Sequence, residues 1–328
     1  MDYEANLWNA QGEPRVQIQV VLYPKFDWPY GSAMPFLKEQ GRLMIVVNGE
    51  YEDVPKEWSG IRIEFLGRNL GYSAAHNYAI RQAPVSIEYI LTLNPDVLLT
   101  DDYIPRLVNW LDKDSDCGMV TGKLLRFDGM TIDSTGISFL KSMRWVDRGQ
   151  GQLDKGQFDT PDNREVSGVS GAAAIYRRKM LSEIADMDGQ FFDEDLFLYK
   201  EDVDLSWRAR RFGWSAKYIS EAVAYHDRSW NNNRSRKTVS ASIRRRSLRN
   251  HYLIMIKNVE WVDIRHNLIN WFWWEFWQAM YILVREPTIS GGYIDAWRLF
   301  RRFLIKRKWI HNRLSSYSMR GTFQGHDN

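Results

Sequence analysis

The 328-residue chain contains a single cysteine, Cys117. A disulfide within the chain and a cysteine-based zinc site are therefore excluded. Scarce cysteine is typical of a reducing compartment, so we expect a cytoplasmic protein. Residues 1–15 are polar, and no run of 18 or more apolar residues is free of charge. We therefore expect neither a secretory signal peptide nor a conventional membrane span.

The net charge is only +3, but it is unevenly distributed along the chain. Residues 228–320 hold 19 Lys and Arg against 5 Asp and Glu, a net charge of +14, and the remainder carries −11. A basic part of this kind suits an anionic partner, such as a membrane surface, a diphosphate lipid or nucleic acid. A basic face that is merely solvated is the alternative.

Short apolar runs alternate with helical segments over the first two thirds of the chain. This alternation predicts an α/β fold with a mainly parallel sheet covered by helices. We expect strands over residues 17–23, 43–47, 61–66, 89–93, 119–125, 172–176, 215–218 and 222–225. We expect helices over residues 72–82, 101–111, 178–184 and 200–212.

The rest of the chain differs in pattern. Gly, Asp and Gln are frequent over residues 127–165, which predicts hairpins and a mobile loop of the kind that covers an acceptor site. Residues 228–313 are helical, basic and aromatic. The expected organisation is a flexible N-terminus over 1–15, a main domain over 16–258, a helical extension over 259–313 and a flexible tail over 314–328.

Asn94-Pro95-Asp96 directly follows an apolar strand. In open α/β sheets, ligands bind at the carboxyl ends of the strands. A carboxylate and an amide there can hold Mg²⁺ or Mn²⁺ against a diphosphate, because these ions prefer oxygen ligands. The alternative is that the tripeptide caps a helix beginning near Asp101.

Carboxylates are dense between Asp193 and Asp204, and the density is greatest at Glu201-Asp202. Their mutual repulsion is costly unless the site holds cations or needs a proton acceptor. The alternative is capping of the helix that begins here, since the helix dipole favours acidic residues at its start. In that case Asp204 and Arg208, spaced i,i+4, form an ion pair.

Two further segments can contribute to a site. His226 follows an apolar strand, where a neutral imidazole suits a metal or a diphosphate oxygen, although a lone histidine is more often structural. The turn from Gly67 to Tyr72 enters a helix whose first backbone N–H groups can receive a phosphate. Neither segment is specific when taken alone.

In order and spacing these segments resemble the family 2 glycosyltransferases, inverting enzymes of the GT-A fold, and most closely their bacterial rhamnosyltransferase-like branch. The resemblance covers residues 17–258. It is carried by Gly67-Arg68-Asn69-Leu70-Gly71-Tyr72 with Asn77, Leu93-Asn94-Pro95-Asp96, Ser170-Gly171-Ala172-Ala173, Phe192-Asp193-Glu194, Tyr199 to Arg208, His226 and Arg249-Asn250.

The resemblance implies a GT-A fold, that is, a Rossmann-like mixed sheet flanked by helices, here with a C-terminal helical extension. It implies a Mg²⁺ or Mn²⁺ ion at Asp96 and His226, and Asp202 as the general base, with Glu201 as second choice. The implied donor-binding residues are Tyr23, Asn48, Arg68, Asn69, Gly71, Asn77, Asn94 and Asp96. The implied acceptor-side residues are Ser170, Gly171, Glu201, Asp202 and Trp207.

Two positions depart from the family pattern. The first strand ends in Tyr23-Pro24-Lys25 instead of an Asn, and Val47 stands where the family places an Asp that contacts the nucleobase. Base recognition is therefore altered or supplied elsewhere. The likeness favours dTDP-rhamnose as the donor, with UDP-sugars next, and a glycan or lipid-linked glycan as the acceptor in cell-surface polysaccharide synthesis.

The aromatic and basic extension predicts a helical surface that contacts an anionic membrane on the inner face of the cell membrane. The alternatives are that these helices form a homodimer interface or cover the catalytic core. Three rival functions also remain open: a glycan-binding relative without catalysis, a nucleic-acid-binding protein using Arg244-Arg245-Arg246, and a nucleotidyltransferase. The chain lacks a recognisable nucleic-acid-binding motif, so we expect no nucleic acid partner.

Overall fold

A mixed sheet of nine strands organises the protein, whose computed structural model describes residues 6–23, 34–50, 58–227 and 239–323. The strands are β1 (Val16–Leu22), β2 (Arg42–Val47), β3 (Arg62–Phe65), β4 (Tyr89–Leu93), β5 (Val97–Leu99), β6 (Cys117–Arg126), β7 (Ile132–Ser134), β8 (Ile137–Phe139), β9 (Trp145–Asp147), β10 (Ala173–Arg177) and β11 (Ser215–His226). The helices are α1 (Met34–Gln40), α2 (Gly71–Arg81), α3 (Tyr103–Lys113), α4 (Arg178–Ile184), α5 (Glu201–Arg211), α6 (Ala241–Asn258), α7 (Trp261–Arg285) and α8 (Gly291–Phe323).

The order of strands in the sheet is β3-β2-β1-β4-β10-β6-β11-β5, and β7 also pairs with β6. The first four strands in this order are parallel to one another, whereas β10 is antiparallel to both of its neighbours. Strands β8 and β9 form a separate hairpin. The carboxyl ends of β1, β2 and β4 therefore meet at one edge of the sheet.

The central strands are buried on both faces, as expected for a parallel sheet covered by helices. Even the two glutamines of β1 are fully buried, and both are hydrogen-bonded to α2. The Gln17 side chain donates to the carbonyl of Ala79 at 2.8 Å, and the Gln19 amide lies 3.0 Å from Nδ1 of His76. These bonds fix α2 against the sheet.

The structure differs from the elements predicted from the sequence at two places. The short strand β5 separates Asn94-Pro95-Asp96 from α3, which begins only at Tyr103. Helix capping by this tripeptide is therefore wrong; the amide of Val97 instead donates to the carbonyl of Asn94, which closes a turn between two strands. The two short strands expected near the end of the sheet are one strand, β11, which is irregular between Ile219 and Val223.

The segments expected to be loops or tails are only partly described. Residues 127–165 contain β7 and the β8–β9 hairpin. A bridge joins Trp8 and Pro14 in the N-terminal segment, and the backbone of α8 continues to Phe323 within the C-terminal one. Residues 1–5, 228–238 and 324–328, which carry part of the terminal and helical predictions, lie outside the described residues.

Candidate active site

A cleft of about 540 Å³ opens at the carboxyl edge of the sheet, between the ends of β1 and β4, the β8–β9 hairpin and the start of α5. Asp96 and Asp202 both line this cleft. Six other residues for which the resemblance implies a role in the site line it as well: Tyr23, Asn94, Ser170, Gly171, Glu201 and His226. The fold thus brings residues far apart in the chain to the edge where α/β sheets bind ligands.

Asp96 and His226 form one end of this site. Because β5 pairs with β11, His226 lies opposite Val97, next to the turn that carries Asp96. Its Nε2 atom lies 3.3 Å from Oδ1 of Asp96, and its Nδ1 atom lies 2.7 Å from Oδ2 of the fully buried Asp133. Burial opposes the charge on His226, but its hydrogen bonds to Asp133 and Asp96 outweigh this and raise its pKa to about 9.

The geometry of this pair fits a divalent cation. Asp96 would supply a carboxylate oxygen to such an ion, and the Nε2 atom of His226, 3.3 Å from that oxygen, would supply an imidazole nitrogen. Asp133 accepts a hydrogen bond from Nδ1–H of His226. The Nε2 atom would therefore present its lone pair to a cation when it carries no proton of its own. Across the described part of the chain, no group of three His, Cys, Asp or Glu side chains forms a metal site.

Glu201 and Asp202 form the other end of the site, at the first turn of α5. Asp202 accepts hydrogen bonds from the backbone amides of Gly171, at 3.1 Å, and Val203, at 2.8 Å. Glu201 is only 6% exposed, and no hydrogen-bond partner for its Oε2 atom occurs among the described residues. The two neighbouring carboxyl groups therefore sit in different environments.

These environments divide the ionisation between the two groups. Burial and the adjacent Asp202 charge raise the pKa of Glu201 to about 8. Burial also raises the pKa of Asp202 above its usual value, although its two backbone donors oppose the rise because they favour the ionised form. When the pair holds one proton, these environments therefore favour the proton on Glu201 and the negative charge on Asp202.

The backbone leading into α5 is strained. Phe197, Tyr199 and Lys200 have φ values of 66°, 71° and 70°, in the left-handed region that side chains other than glycine seldom adopt. The side-chain amide of Asn250 on α6 donates to the carbonyls of Leu198 and Tyr199, at 3.0 and 2.7 Å. Such conformations persist only where surrounding contacts fix them, and here they position Glu201 and Asp202.

The other carboxylates of the acidic segment are neutralised inside the protein. Lys257 on α6 contacts Asp193 at 2.6 Å and Asp204 at 2.9 Å, and Lys306 on α8 contacts Asp193 at 2.5 Å. The expected pair of Asp204 and Arg208 is confirmed at 2.9 Å. Asp193 and Asp204 are therefore balanced by internal cations, and the alternative of an internal ion pair holds for Asp204. The structure also removes Lys306 from the surface that the sequence assigns to a membrane.

The turn from Gly67 to Gly71 lies outside the cleft lining, and Asn48 braces it. The fully buried side chain of Asn48 donates to the carbonyl of Gly71 at 3.0 Å and accepts from the amide of Leu70 at 2.8 Å. Gly71 has a φ of 86°, and a Cβ atom there would lie 2.5 Å from a carbonyl oxygen of the strained segment. Arg68 and Asn69 are exposed on this turn.

Two further predicted site residues lie behind the cleft. The side chain of Asn77 is fully buried, and both of its polar atoms bond to the backbone of Phe192, at 2.7 and 2.9 Å. Trp207 packs against Trp145 and Phe139, with ring centroids 5.1 and 5.2 Å away. Trp145 itself lines the cleft, so Trp207 supports this wall from outside, whereas Asn77 fixes the backbone of Phe192.

Sequence reasoning missed Asp133 and the roles of Lys257 and Lys306. Asp133 lies in the weakly periodic segment that predicts a loop, where nothing marks one aspartate among several. Lys306 lies in a run of basic residues that also includes exposed side chains such as Lys308. Only a burial pattern at helical spacing could distinguish the buried Lys306 from the exposed Lys308, and the mixed composition of α8 obscures that pattern.

The basic run Arg244-Arg245-Arg246 is used within the protein. Arg244 pairs with Glu286 and Arg245 with Asp295, each at 2.6 Å. The Arg246 guanidinium lies over the Phe197 ring, 4.3 Å from its centroid. These contacts argue against use of the run as a nucleic-acid-binding surface.

A sequence profile described as "Glycosyltransferase like family 2" matches residues 45–251, more than half of the chain. The chain belongs to this family. Within this family, the chain is 25% identical over 210 residues to N-acetylglucosaminyl-diphospho-decaprenol L-rhamnosyltransferase from two strains of Mycobacterium tuberculosis. The match covers 57% of this chain and 66% of each relative.

The fold agrees with this assignment. A crystal structure of GalNAc-T7 with UDP, GalNAc and Mn²⁺ superposes with a TM-score of 0.57, covering 92% of this chain and 56% of that chain. At 14% identity the likeness concerns the fold alone. The expected GT-A fold and the likeness to rhamnosyltransferases are confirmed.

Proposed function

We propose that this glycosyltransferase transfers a sugar from a nucleotide-diphosphate donor to a hydroxyl group of a lipid-linked glycan in cell-surface polysaccharide synthesis. The observation that carries the proposal is that Asp202, held by the backbone amides of Gly171 and Val203, faces the same cleft as the Asp96–His226 pair. The Mycobacterium tuberculosis relatives are named as rhamnosyltransferases of a diphospho-decaprenol acceptor. We therefore propose dTDP-rhamnose as the donor, with UDP-sugars as the next candidates.

The donor end of the cleft is assigned to Asp96, His226, Asn94 and Tyr23. A Mg²⁺ or Mn²⁺ ion held by Asp96 and His226 would neutralise the charge that develops on the leaving nucleoside diphosphate. Asn94 and Tyr23 line the same end and can orient the donor. Asn48 contributes by holding the turn from Gly67 to Gly71 in place. The polar side-chain atoms of Asn48 are already bonded within the protein and do not need a ligand.

The acceptor end is assigned to Asp202, Glu201, Ser170 and Gly171. Asp202 takes the proton of the acceptor hydroxyl. The hydroxyl oxygen forms a bond to the anomeric carbon of the donor sugar as the bond between that carbon and the diphosphate oxygen breaks. This single in-line displacement inverts the anomeric configuration. Glu201 retains its proton during this step, so Asp202 is not opposed by a second charge. The small residues Ser170 and Gly171 leave room for the acceptor beside the base.

Asp202→Asn tests the assignment of the base. Because a positioned general base contributes about 10²- to 10⁴-fold to rate, we expect kcat to fall by that factor. The amide keeps the shape of the side chain and does not touch the donor end, so the donor dissociation constant from calorimetry should stay within about twofold of the wild type. Asp162→Asn, an exposed aspartate on a distant loop, is the matched control. Full turnover by Asp202→Asn would contradict the assignment.

Product analysis separates the proposed reaction from the rival functions. NMR of the glycosidic product should show inversion, and the nucleotide product should be a nucleoside diphosphate. Release of pyrophosphate would indicate a nucleotidyltransferase, and acceptor binding without turnover would indicate a glycan-binding protein. Removal of divalent metal with a chelator should abolish transfer, and Mn²⁺ or Mg²⁺ should restore it.

A further inference from the structure

Helix α7 has its polar side turned inward and its apolar side turned outward. Nine large apolar side chains between Leu268 and Val284 are exposed, at 43–73%: Leu268, Ile269, Phe272, Trp273, Phe276, Trp277, Met280, Leu283 and Val284. They recur at intervals of three and four residues, so they share one face of the helix. Of the whole helix, only Ile282 is buried.

The inward side of α7 combines apolar packing by Ile264, Trp271 and Ile282 with polar contacts to α6. Glu275 accepts a hydrogen bond from the hydroxyl of Tyr252 at 2.5 Å and contacts His251 at 3.2 Å. Gln278 donates to the same tyrosine hydroxyl at 3.2 Å. The polar residues Glu275 and Gln278 are therefore engaged by the protein, whereas most of the large apolar residues of α7 face solvent. Exposed apolar surface of this extent marks a binding surface.

The charges around this face are basic. Arg265 and Arg285 are exposed at the two ends of α7, and Lys141 is exposed beside its middle. The carboxylates of the extension are instead engaged within the protein: Glu260 with Arg211, Asp263 with the start of α7, Glu275 with Tyr252, Glu286 with Arg244 and Asp295 with Arg245. A second copy of this face would bring like charges together, whereas an anionic lipid surface complements them.

The apolar face adjoins the candidate active site through the β8–β9 hairpin. A groove of about 500 Å³ separates the tip of the hairpin from α7 and is lined by Leu140, Lys141, Ser142, Asn270, Trp273, Trp274 and Trp277. The Arg144 guanidinium lies 4.0 Å from the centre of the Trp274 ring and joins the two elements. Ile137, Trp145, Val146 and Asp147 of the same hairpin line the catalytic cleft.

We propose that α7 lies in the surface of an anionic lipid bilayer, with its apolar face among the lipid chains and the basic residues at the headgroups. Within the described residues, no helix has the length and apolar character to cross a membrane, so α7 lies flat. The β8–β9 hairpin then stands between the bilayer and the cleft. Building on the proposed function, this placement delivers a lipid-linked acceptor to Asp202 from the membrane side.

The test is flotation of the full chain with vesicles of phosphatidylcholine containing 30% phosphatidylglycerol, as against pure phosphatidylcholine. Ile269→Gln/Phe276→Gln should lower partitioning about 10- to 100-fold on both vesicle types, because it removes apolar side chains from the lipid. Lys141→Gln/Arg285→Gln should lower it roughly fivefold per residue on anionic vesicles only. The control is Val85→Gln, an exposed valine outside α7, which should partition like the wild type.

Two results would overturn the proposal. One is equal partitioning of the wild type and Ile269→Gln/Phe276→Gln. The other is a dimer in sedimentation equilibrium that becomes monomeric in this variant while vesicle binding is absent, which would identify a second copy as the occupant. Flotation is measured without donor or acceptor, so its failure leaves the proposed transferase reaction untouched. Conversely, loss of turnover in Asp202→Asn says nothing about vesicle binding.

Discussion

Lys306→Met tests whether the C-terminal helix stabilises the catalytic segment through a buried ion cluster. The Lys306 ammonium is 1% exposed and contacts Asp193 at 2.5 Å and Asp195 at 2.7 Å. Removing one partner of a buried ion pair costs about 3–5 kcal/mol, because it leaves an uncompensated charge. Lys257 still contacts Asp193 at 2.6 Å, so we expect the lower end, about 3 kcal/mol.

This loss should appear as a fall in Tm of about 4 °C, because an unfolding entropy of about 2.1 cal/mol/K per residue amounts to roughly 0.7 kcal/mol/K for 328 residues. Thermal unfolding followed by circular dichroism measures it. The matched control is Lys308→Met, which removes an exposed lysine of the same helix and should change Tm little. Equal Tm values for the two variants would refute the reasoning.

The pH dependence of this effect follows from the pKa shifts. Burial opposes ionisation of Asp193, but Lys257 and Lys306 outweigh it and hold its pKa below the usual range. The contribution of a depressed carboxyl is present above its unfolded pKa and is lost as the pH falls through its folded pKa. The pKa of Lys306 is raised, so its contribution is lost only above the usual lysine pKa of about 10.4. The Tm difference should therefore be constant between about pH 5 and 9.

Two further changes probe the site itself. The folded pKa of Glu201 is raised to about 8. The free energy of unfolding of the wild type should therefore fall by up to roughly 4 kcal/mol as the pH rises from about 4.5 to 8. Glu201→Gln carries a neutral amide that cannot ionise, so this variant should lack the fall. Parallel curves of Tm against pH would contradict the raised pKa. Asp133→Asn weakens the orientation of His226, and Mn²⁺ binding measured by calorimetry should weaken about 10- to 100-fold. Unchanged Mn²⁺ affinity, equal to that of Asp162→Asn, would mean that Asp133 does not orient a ligand.

Local pattern was enough to predict most of the sheet. The β4 strand, Tyr89–Leu93, and helix α4, Arg178–Ile184, have the expected bounds, because their apolar spacing and flanking residues are local properties. Strand β5 was not predictable, since three residues after a proline turn carry no period. The sequence pattern predicts two strands in place of β11, because the irregular middle of this strand interrupts the alternation of apolar and polar residues.

The sequence by itself determined which residues could meet at the cleft. Asp96, Glu201, Asp202 and His226 stand at the ends or starts of regular elements, and the rules for α/β sheets place such positions at one edge. Those rules depend only on chain order and strand direction. They are therefore readable without coordinates.

Only the tertiary structure decided the charge on each group and the direction in which each helix faces. The proton is assigned to Glu201 because the amide of Gly171, on a distant segment, points to Asp202. Lys306 turns inward because buried carboxylates face it from across the fold. Solvation and pairing energies depend on neighbours brought together by folding, and chain order alone does not specify them.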